Sequence, residues 1–299
     1  MIDFSGFEVN HFRGYGGNNG NKLALIINGE NYMVKFPPKA KNNENMNYSN
    51  SCVNEYIGCH IFDCLGIKAQ ETILGLYNNK VVVACKDLNA NNNKLMEFAL
   101  LKNQNIIETV SGYGTELSEI IKTREIQKII NKNILLEFFW DMFIVDALIG
   151  NFDRHNGNRG LLINEKNKSA DISPIYDCGS SLFPQIDSYT LNAVLDNTKE
   201  IDKRVFAFPN SAIKINNNKI NYFNFLLETD NINCLKSLNK IHSRIDLKEI
   251  YKIIDSTECL SDSYKSFYKI IIKARKEKIL EYCLNNNKTI YKHRKEIGI

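Results

Sequence analysis

A group of polar residues directly follows an apolar segment in the middle of this 299-residue chain. The segment NILLEFFWDMFIVDALIG ends at Gly150, and the stretch NFDRHNGNRG after it carries Asp153, His155 and Asn158. Phosphoryl transfer is mostly positioning and charge neutralisation, so it needs a carboxylate beside the attacking hydroxyl and oxygen ligands for Mg²⁺. Asp153 can orient or deprotonate a hydroxyl, and Asn158 can turn its carbonyl oxygen to a metal. His155 can donate a hydrogen bond that stiffens the loop or meets developing charge.

A second carboxylate must then reach the same metal from a neighbouring strand. Asp177 ends the stretch ISPIYD and precedes Cys178, Gly179 and Ser180, so it is the candidate. Asp153, Asn158 and Asp177 supply a base and two metal ligands in the order and spacing typical of kinases. Taken alone, DRHNGN has a less favoured alternative explanation as a helix-capping loop bonded to itself, because Asp and Asn favour such positions.

Two further features lie near the start of the chain. The stretch RGYGGNNGNK is rich in glycine, which lets backbone N–H groups approach a phosphate, but it matches neither the Walker nor the Rossmann fingerprint, and an ordinary hairpin loop explains it too. Lys35 follows in YMVKFP, where its ammonium would lie beneath phosphates that the loop holds. Glu55 can pair with Lys35, although surface Lys–Glu pairs are common and contribute little.

Composition excludes several classes of protein. Hydrophobic residues make up 43% and charged residues 24%, as in an ordinary globular protein, and the net charge of +4 is too small to indicate nucleic-acid binding. The eight cysteines contain no CxxC pair and no zinc-ligand spacing, which favours reduced thiols in the cytoplasm. Neither a signal peptide nor a membrane-spanning run is expected.

The periodicity of apolar residues predicts an α+β protein of two lobes. Strands are expected at FEVN, LALIING and NYMVKFP, with a turn at Asn28-Gly29, and a hairpin is expected whose second strand is Val81 to Cys85. A helix is predicted over SNSCVNEYIGCHIFDCLGI, with Ser51 able to cap it. From Asn89 onward helices are expected, apart from a strand pair formed by GLLIN and ISPIYD. The result is a small β-rich lobe over residues 1–87 and a larger helical lobe over residues 88–299.

LIGNFDRHNGNRG and SPIYDCGSS resemble the catalytic and metal-binding segments of HipA-like serine/threonine kinases, which are relatives of the phosphatidylinositol kinase fold. The similarity extends through GGNNGNK, YMVKFPPK, NEYIGCHI, VVVACKD and FFWDMF, and it is closest to the short stand-alone branch that includes the cell-translocating kinase A proteins. The resemblance covers most of residues 1 to about 280. It implies a two-lobed kinase fold and an ATP-dependent serine/threonine protein kinase that uses Mg²⁺ or Mn²⁺, with autophosphorylation.

The resemblance also implies roles for single residues. Asp153 would be the catalytic aspartate, Asn158 and Asp177 would bind the metal, and Lys35, with Glu55 as its partner, would contact the α- and β-phosphates. The VVVACKD strand, with Ala84, Cys85, Lys86 and Asp87, would form the hinge, where the backbone of Ala84 and Lys86 meets the adenine and Asp87 reaches the ribose. The loop that would cover the phosphates consists of Gly16, Gly17, Asn18, Asn19, Gly20, Asn21 and Lys22.

The chain departs from the longer HipA proteins in two respects. It begins almost at the phosphate loop, without their extra N-terminal subdomain, so a DNA-bound antitoxin complex of the longer type is not expected. Its loop RGYGGNNGNK also contains no serine or threonine, so self-phosphorylation at that position is not expected.

Two rival functions stay open at this point. A lipid or small-molecule kinase would share the Asp-Arg-His…Asn arrangement, but it should present a basic or amphipathic segment to the membrane. A toxin-like or regulatory module would hold nucleotide without transferring phosphate. Protein substrates with Ser or Thr are expected, along with a possible regulatory or antitoxin-like partner and no direct nucleic-acid binding. The expected location is the cytoplasm, and export to a host cell is suggested by the resemblance alone.

Overall fold

The N-terminal lobe is built on a five-stranded sheet of order β1-β4-β5-β3-β2. The computed structural model describes residues 1–16, 21–40, 46–105 and 111–287. Its first sheet comprises β1 (Ile2–Asp3), β2 (Lys22–Ile27), β3 (Glu30–Lys35), β4 (Thr72–Tyr77) and β5 (Lys80–Lys86). Only β1 and β4 pair in parallel; the other neighbours are antiparallel.

Tight turns set the register of the two hairpins in this sheet. Asn28 and Gly29 join β2 to β3, and Asn78 and Asn79 join β4 to β5, all four with positive φ. Such conformations match the twist of paired strands, which is why Asn and Gly occur there. The register places Lys22 opposite Lys35. These two predicted hairpins are confirmed, whereas FEVN forms only an isolated bridge from Val9 to Leu25, because Ser5 to Phe7 turn the chain after β1.

Helix α1 (Ser51–Cys64) packs across one face of the sheet. Ile57, Ile61 and Leu65 are fully buried, in agreement with their spacing. The prediction that Ser51 caps this helix is wrong. Asn50 occupies the N-cap position without a side-chain capping bond, and Ser51 is already the first helical residue.

The C-terminal lobe is mainly helical. Its helices are α2 (Phe98–Asn105), α3 (Leu117–Ile126), α4 (Lys132–Ile149), α5 (Ser188–Leu195), α6 (Thr198–Asp202), α7 (Tyr222–Glu228), α8 (Ile232–Arg244), α9 (Leu247–Asp255) and α10 (Asp262–Arg275), with π-helical turns at Lys203–Ala207 and Lys276–Glu281. Helix α4 is the predicted apolar helix, and Gly150 ends it in a left-handed conformation with φ 65°.

Small β elements complete this lobe. Strands β6 (Asn93–Glu97), β7 (Gly160–Asn164) and β8 (Ser169–Ile172) form a three-stranded antiparallel sheet, and β9 (Lys214–Ile215) pairs with β10 (Asn218–Lys219). The prediction of helices alone from Asn89 onward, apart from one strand pair, is therefore wrong for β6 and for the β9–β10 hairpin. The strand predicted for ISPIYD is also misplaced, because only Ile172 of that stretch belongs to β8. Pro174 has no N–H for a ladder bond, and Asp177 lies in a loop with φ 59°.

One hydrophobic core extends through both lobes. It joins Ile57 of α1 and Cys85 of β5 to Trp140 and Phe143 of α4 and to Phe267 of α10. A smaller core fills the opposite face of the five-stranded sheet around Phe4. All eight cysteines are free, as the sequence predicts. Among the described residues, no helix has the length and apolar character that a bilayer crossing requires.

Candidate active site

Lys35, Glu55 and Asp177 meet where the sheet faces the C-terminal lobe. Lys35 Nζ lies 3.2 Å from Glu55 Oε1 and 3.0 Å from Asp177 Oδ1. The side chains of Lys35 and Glu55 are 16% and 2% exposed, so this is not a solvated surface pair. Charge-assisted contacts of this kind are strong and directional when they are shielded from water. The pairing predicted for Lys35 and Glu55 is present, and Asp177 is brought to the same ammonium.

Glu55 also holds the backbone of the Asp177 loop. Its Oε1 accepts a hydrogen bond from the Asp177 N–H and its Oε2 accepts one from the Gly179 N–H, each at 2.9 Å. Helix α1 therefore fixes the left-handed backbone at Asp177 through one buried carboxylate. Neither the spacing nor the charge of the sequence indicates these two bonds.

The loop after α4 brings Asp153 and Asn158 together. Asn158 Nδ2 donates to the backbone oxygen of Asp153 at 2.8 Å, and Asn151 Oδ1 accepts from the Asp153 N–H at 3.0 Å. Since the amide nitrogen of Asn158 is engaged, its carbonyl oxygen is the end of the group that can bind a cation. His155 Nδ1 accepts from the Gly157 N–H at 3.0 Å, which assigns the ring proton of neutral His155 to Nε2.

Arg154 is a positioning residue whose role the sequence did not reveal. It is 1% exposed and pairs with Asp146 of α4, with 3.0 Å between Arg154 Nε and Asp146 Oδ2. Its Nη1 donates to the backbone oxygens of Asn158 and Tyr176, so one guanidinium joins the Asp153 loop to the Asp177 loop. The spacing of Asp146 and Arg154 across the end of α4 is a signal that would have suggested the pair.

The surroundings of Asp153 and Asp177 shift the pKa values of the two carboxyl groups in opposite directions. Burial raises the pKa of Asp153 above its ordinary value, and the charge of Asp177 adds to this while His155 opposes it. Burial would also raise the pKa of Asp177, but Lys35 outweighs it and the pKa lies below its ordinary value. When the pKa values of two carboxyl groups differ in this way, one group is suited to proton transfer and the other to staying charged.

The oxygen donors present fit a magnesium ion held jointly with phosphates. Within the described ranges, no three His, Cys, Asp or Glu side chains converge into a metal cage. Mg²⁺ in phosphotransferases binds through one or two carboxylates and substrate phosphates. The carboxylate of Asp177, beside Lys35, and the amide oxygen of Asn158 are donors of the right kind.

The structure describes only the ends of the glycine-rich loop. Lys22 Nζ donates to the Gly16 backbone oxygen at 2.5 Å, and the Asn21 backbone oxygen accepts from the Phe36 N–H at 3.0 Å. Burial lowers the pKa of Lys22, and the charge of Lys35 lowers it further, so the two lysines share one electrostatic environment. Gly17, Asn18, Asn19 and Gly20, which were predicted to cover phosphates, lie outside the described residues.

The predicted hinge follows the end of β5. Ala84 pairs on both sides in the sheet, and Cys85 faces the Lys35 side within the larger core. The Lys86 N–H donates to the backbone oxygen of Glu71, and the Lys86 carbonyl accepts from Gln70 Nε2. An adenine contact at Lys86 would therefore compete with these bonds. That contact stays a prediction.

The Asp87 side chain is engaged by two residues at the start of the glycine-rich stretch. Its Oδ2 lies 2.6 Å from Arg13 Nε and accepts from the Tyr15 hydroxyl at 2.9 Å. Burial would raise the pKa of Asp87, but Arg13 and its other donors lower it. A ribose contact at Asp87 would therefore compete with Arg13 and Tyr15.

The chain is similar along nearly its whole length to a characterised enzyme. It is 46% identical over 281 residues to the serine/threonine-protein kinase CtkA of Helicobacter pylori, covering 94% of this chain and 86% of the relative. The crystal structure of the Helicobacter pylori proinflammatory kinase CtkA superposes with a TM-score of 0.90 at 45% identity, covering 95% of this chain and 98% of that one.

A more distant likeness extends to a toxin–antitoxin protein. The structure of Shewanella oneidensis HipA with HipB and operator DNA matches with a TM-score of 0.53 at 14% identity, covering 91% of this chain and 68% of the matched one. At that identity the likeness concerns the fold alone, and it confirms the predicted two-lobed α+β kinase-like architecture. No family model matches the chain.

Proposed function

We propose that Asp153 and Asp177 have different roles in phosphoryl transfer by this chain, which belongs to the family of the serine/threonine-protein kinase CtkA and is itself a serine/threonine protein kinase. Asp153 orients the attacking Ser or Thr hydroxyl and accepts its proton. Asp177, with Asn158, holds a divalent metal against the nucleotide. ATP is the phosphoryl donor, and Mg²⁺ or Mn²⁺ is the metal.

The neighbours of the two carboxylates are the observation that carries this division, because Asp177 lies 3.0 Å from the Lys35 ammonium, whereas Asp153 lies on the loop that also carries Asn158 and His155. A carboxyl group with a raised pKa accepts a proton more readily as the hydroxyl oxygen bonds to the γ-phosphorus. A carboxyl group held ionised by Lys35 keeps its negative charge for a cation throughout the cycle. When bound, the metal neutralises charge that develops on the phosphate oxygens.

Lys35 is the proposed contact for the α- and β-phosphates. Glu55 and Asp177 hold its ammonium from two sides, so it is restrained before the nucleotide arrives. The mutual attraction raises the pKa of Lys35, against the effect of burial, so the group stays charged at neutral pH. His155 and Asn158 complete the catalytic loop. Gly16, Asn21 and Lys22 are the described members of the proposed phosphate-covering loop.

The finer assignments of nucleotide site and lobes are proposals of the same kind. The boundary between the lobes is drawn after residue 87, close to the end of β5 at Lys86. Ala84, Cys85, Lys86 and Asp87 form the proposed hinge for the adenosine. Autophosphorylation is proposed without an assigned position.

A regulatory or antitoxin-like partner also remains a proposal. The supporting observation is a fold shared with HipA, whose structure contains HipB and DNA. Residence in the cytoplasm remains a prediction from the sequence, and export to a host cell is suggested by the resemblance alone.

Transfer of labelled phosphate tests the role of Asp153. Wild-type protein, γ-labelled ATP, Mg²⁺ and a generic basic protein should give label on protein, and Asp153→Asn should reduce kcat by roughly 10²–10⁴-fold. Asp171→Asn is the matched control, because Asp171 is exposed on β8. Label on lipid in place of protein, or near-normal transfer by Asp153→Asn, would contradict the assignment.

A further inference from the structure

The β9–β10 hairpin presents two lysines on one face. Lys214 and Lys219 are directly opposite each other in the antiparallel register, so their side chains lie on the same side of the hairpin. Ile213 and Ile220 continue the ladder, with the Ile220 N–H donating to the Ile213 carbonyl at 2.9 Å, and both belong to the larger core. Because side chains alternate along paired strands, the two lysines lie on the side that faces away from this core, and Lys219 is exposed.

The two lysine charges have no counter-ion within the part of the chain that the structure describes. Neither Lys214 nor Lys219 forms an ion pair with another described residue. The carboxylate of Glu116 does reach the hairpin, but it accepts from the backbone N–H groups of Asn216 and Asn217, at 2.8 and 3.1 Å. Like charges directly opposite each other on paired strands are destabilising. An anion bound beside both lysines would remove that repulsion.

The hairpin is attached to the catalytic loop on both sides. The Tyr222 hydroxyl, beyond the end of β10, donates to the Asn151 backbone oxygen at 2.5 Å. Before β9 the connection runs through the segment that precedes α3. The Lys214 N–H donates to the Thr115 backbone oxygen at 2.9 Å, and the preceding carbonyl accepts from Asn156 Nδ2 at 2.7 Å. The catalytic loop therefore holds the hairpin beside itself.

The charge of Lys219 acts on the catalytic carboxylate. Burial raises the pKa of Asp153, and the positive charges of His155 and Lys219 oppose that rise. Burial would also raise the pKa of Asp177, but there Lys35 is the first charge that opposes it. Lys35 thus lies on the side of the proposed metal and nucleotide, and Lys219 lies on the side of the acceptor hydroxyl.

We propose that Lys219, with Lys214 beside it, binds an acidic side chain of the protein substrate close to the Ser or Thr that receives the phosphate. The proposal rests on the role of Asp153 in the proposed function. A carboxylate near the acceptor hydroxyl would neutralise the lysine pair and hold the substrate on the hairpin. The phosphates of the nucleotide are the other anions of the reaction, but Lys35 already supplies a cation on their side. Lys219 is thus a specificity-determining residue for the substrate.

Paired peptides test this preference. The host peptide is taken around a Ser or Thr that the wild type labels on the generic protein of the assay above. One Glu is placed in turn at each nearby position, and each Glu peptide has a twin with Gln at the same place. At the position that reaches the hairpin, Glu should lower the peptide KM about fivefold relative to Gln, the effect of one good exposed ion pair. Added salt should reduce the difference, because it screens exposed charges.

Two variants of Lys219 and one control assign the preference to the hairpin. Lys219→Met should remove the difference in KM between the Glu and Gln peptides. Lys219→Glu should reverse it, so that a peptide with Lys at the same position has a lower KM than its Gln twin. Each ratio compares peptides on one enzyme, so a change in the pKa of Asp153 cancels. Lys248→Met should keep the wild-type preference, because Lys248 is exposed on α9, which packs against α1.

The possible failures are distinguishable. Equal KM values for every Glu and Gln pair on the wild type, or the wild-type preference in Lys219→Met, would overturn the inference and leave the kinase reaction in place. A higher KM for ATP in Lys219→Met, with an unchanged peptide preference, would assign the charge to the nucleotide and also contradict the inference. If the wild type labelled no protein at all, the proposed function itself would fail, and the inference with it.

Discussion

Asp153 and Asp177 are the same residue type in two different environments. Asp153 is half-buried beside a second carboxylate, while Asp177 lies 3.0 Å from a lysine ammonium. The sequence predicted that both take part in the chemistry, because their spacing follows a kinase order. It could not predict which one is more easily protonated, since that depends on Lys35, more than a hundred residues away from both along the chain.

The pH dependence of the reaction follows from the environment of Asp153. Its protonated form cannot accept the hydroxyl proton, so kcat/KM should fall as pH decreases through the pKa of Asp153, which is higher than that of an ordinary aspartate. Protonated His155 lowers that pKa. His155→Ala should therefore raise it and move the acid limb of the kcat/KM profile to higher pH.

A histidine outside the site provides the control for this profile. His242 lies on α8, 3.8 Å from Glu281, and His242→Ala should leave the acid limb in place. A limb that moves to lower pH in His155→Ala would show that His155 does not act on Asp153.

At the scale of elements, helix α1 connects the nucleotide side of the site to the metal side. It carries Glu55, whose carboxylate contacts Lys35 and the backbone of Asp177 and Gly179. One turn later, Gly58 allows the helix to lie against the Asp177 loop. A Cβ added at Gly58 would be 2.6 Å from Cys178 Cβ. The position of Glu55 thus depends on glycine, which has no side chain, at residue 58.

Replacement of Gly58 by alanine tests this close approach. In an open helix, Gly→Ala stabilises by about 1 kcal/mol. Here the overlap with Cys178 should instead lower the free energy of unfolding by about 1–3 kcal/mol and reduce kinase activity, because α1 must move together with Glu55. Chemical denaturation and phosphate transfer measure the two effects.

Gly6→Ala is the matched control, since nothing lies within 4 Å of a Cβ added there. It should leave both quantities nearly unchanged. A stabilised and fully active Gly58→Ala protein would contradict the close packing of α1.

The sequence predicted elements well where local signals define them. The two N-terminal hairpins have Asn and Gly at their turns, and α4 has a long apolar periodicity and a terminal glycine. The strand β6 was missed because it is stabilised by pairing with β7, about 65 residues further along the chain. The Lys35–Glu55 pair was predicted, but the backbone bonds of Glu55 and the contacts of Arg154 depend on tertiary folding and were not.

At the scale of the whole molecule, the two lobes share a hydrophobic core and a polar anchor. Tyr268 of α10 donates to Asn54 Oδ1 of α1 at 2.6 Å, and Asn54 Nδ2 donates to the Ser181 backbone oxygen at 2.7 Å. Both side chains are fully buried. Because the larger core includes α1 and β5 together with the C-terminal helices, the lobes should unfold together.

Tyr268→Phe should therefore destabilise the protein as a unit. The change leaves Asn54 Oδ1 buried without its donor, so the free energy of unfolding should fall by about 1–3 kcal/mol while thermal unfolding keeps a single transition. Tyr189→Phe is the control, because Tyr189 is 82% exposed. Calorimetry that resolved two transitions would show that the lobes unfold separately.

Metal-dependent binding of a non-hydrolysable ATP analogue tests the division between Asp153 and Asp177 most directly. Calorimetric titrations with and without Mg²⁺ should show that Asp177→Asn loses the gain in affinity that Mg²⁺ gives to the wild type. Asp153→Asn and the exposed control Asp171→Asn should keep that gain. The same gain in Asp177→Asn, or its loss in Asp153→Asn, would contradict the proposed roles.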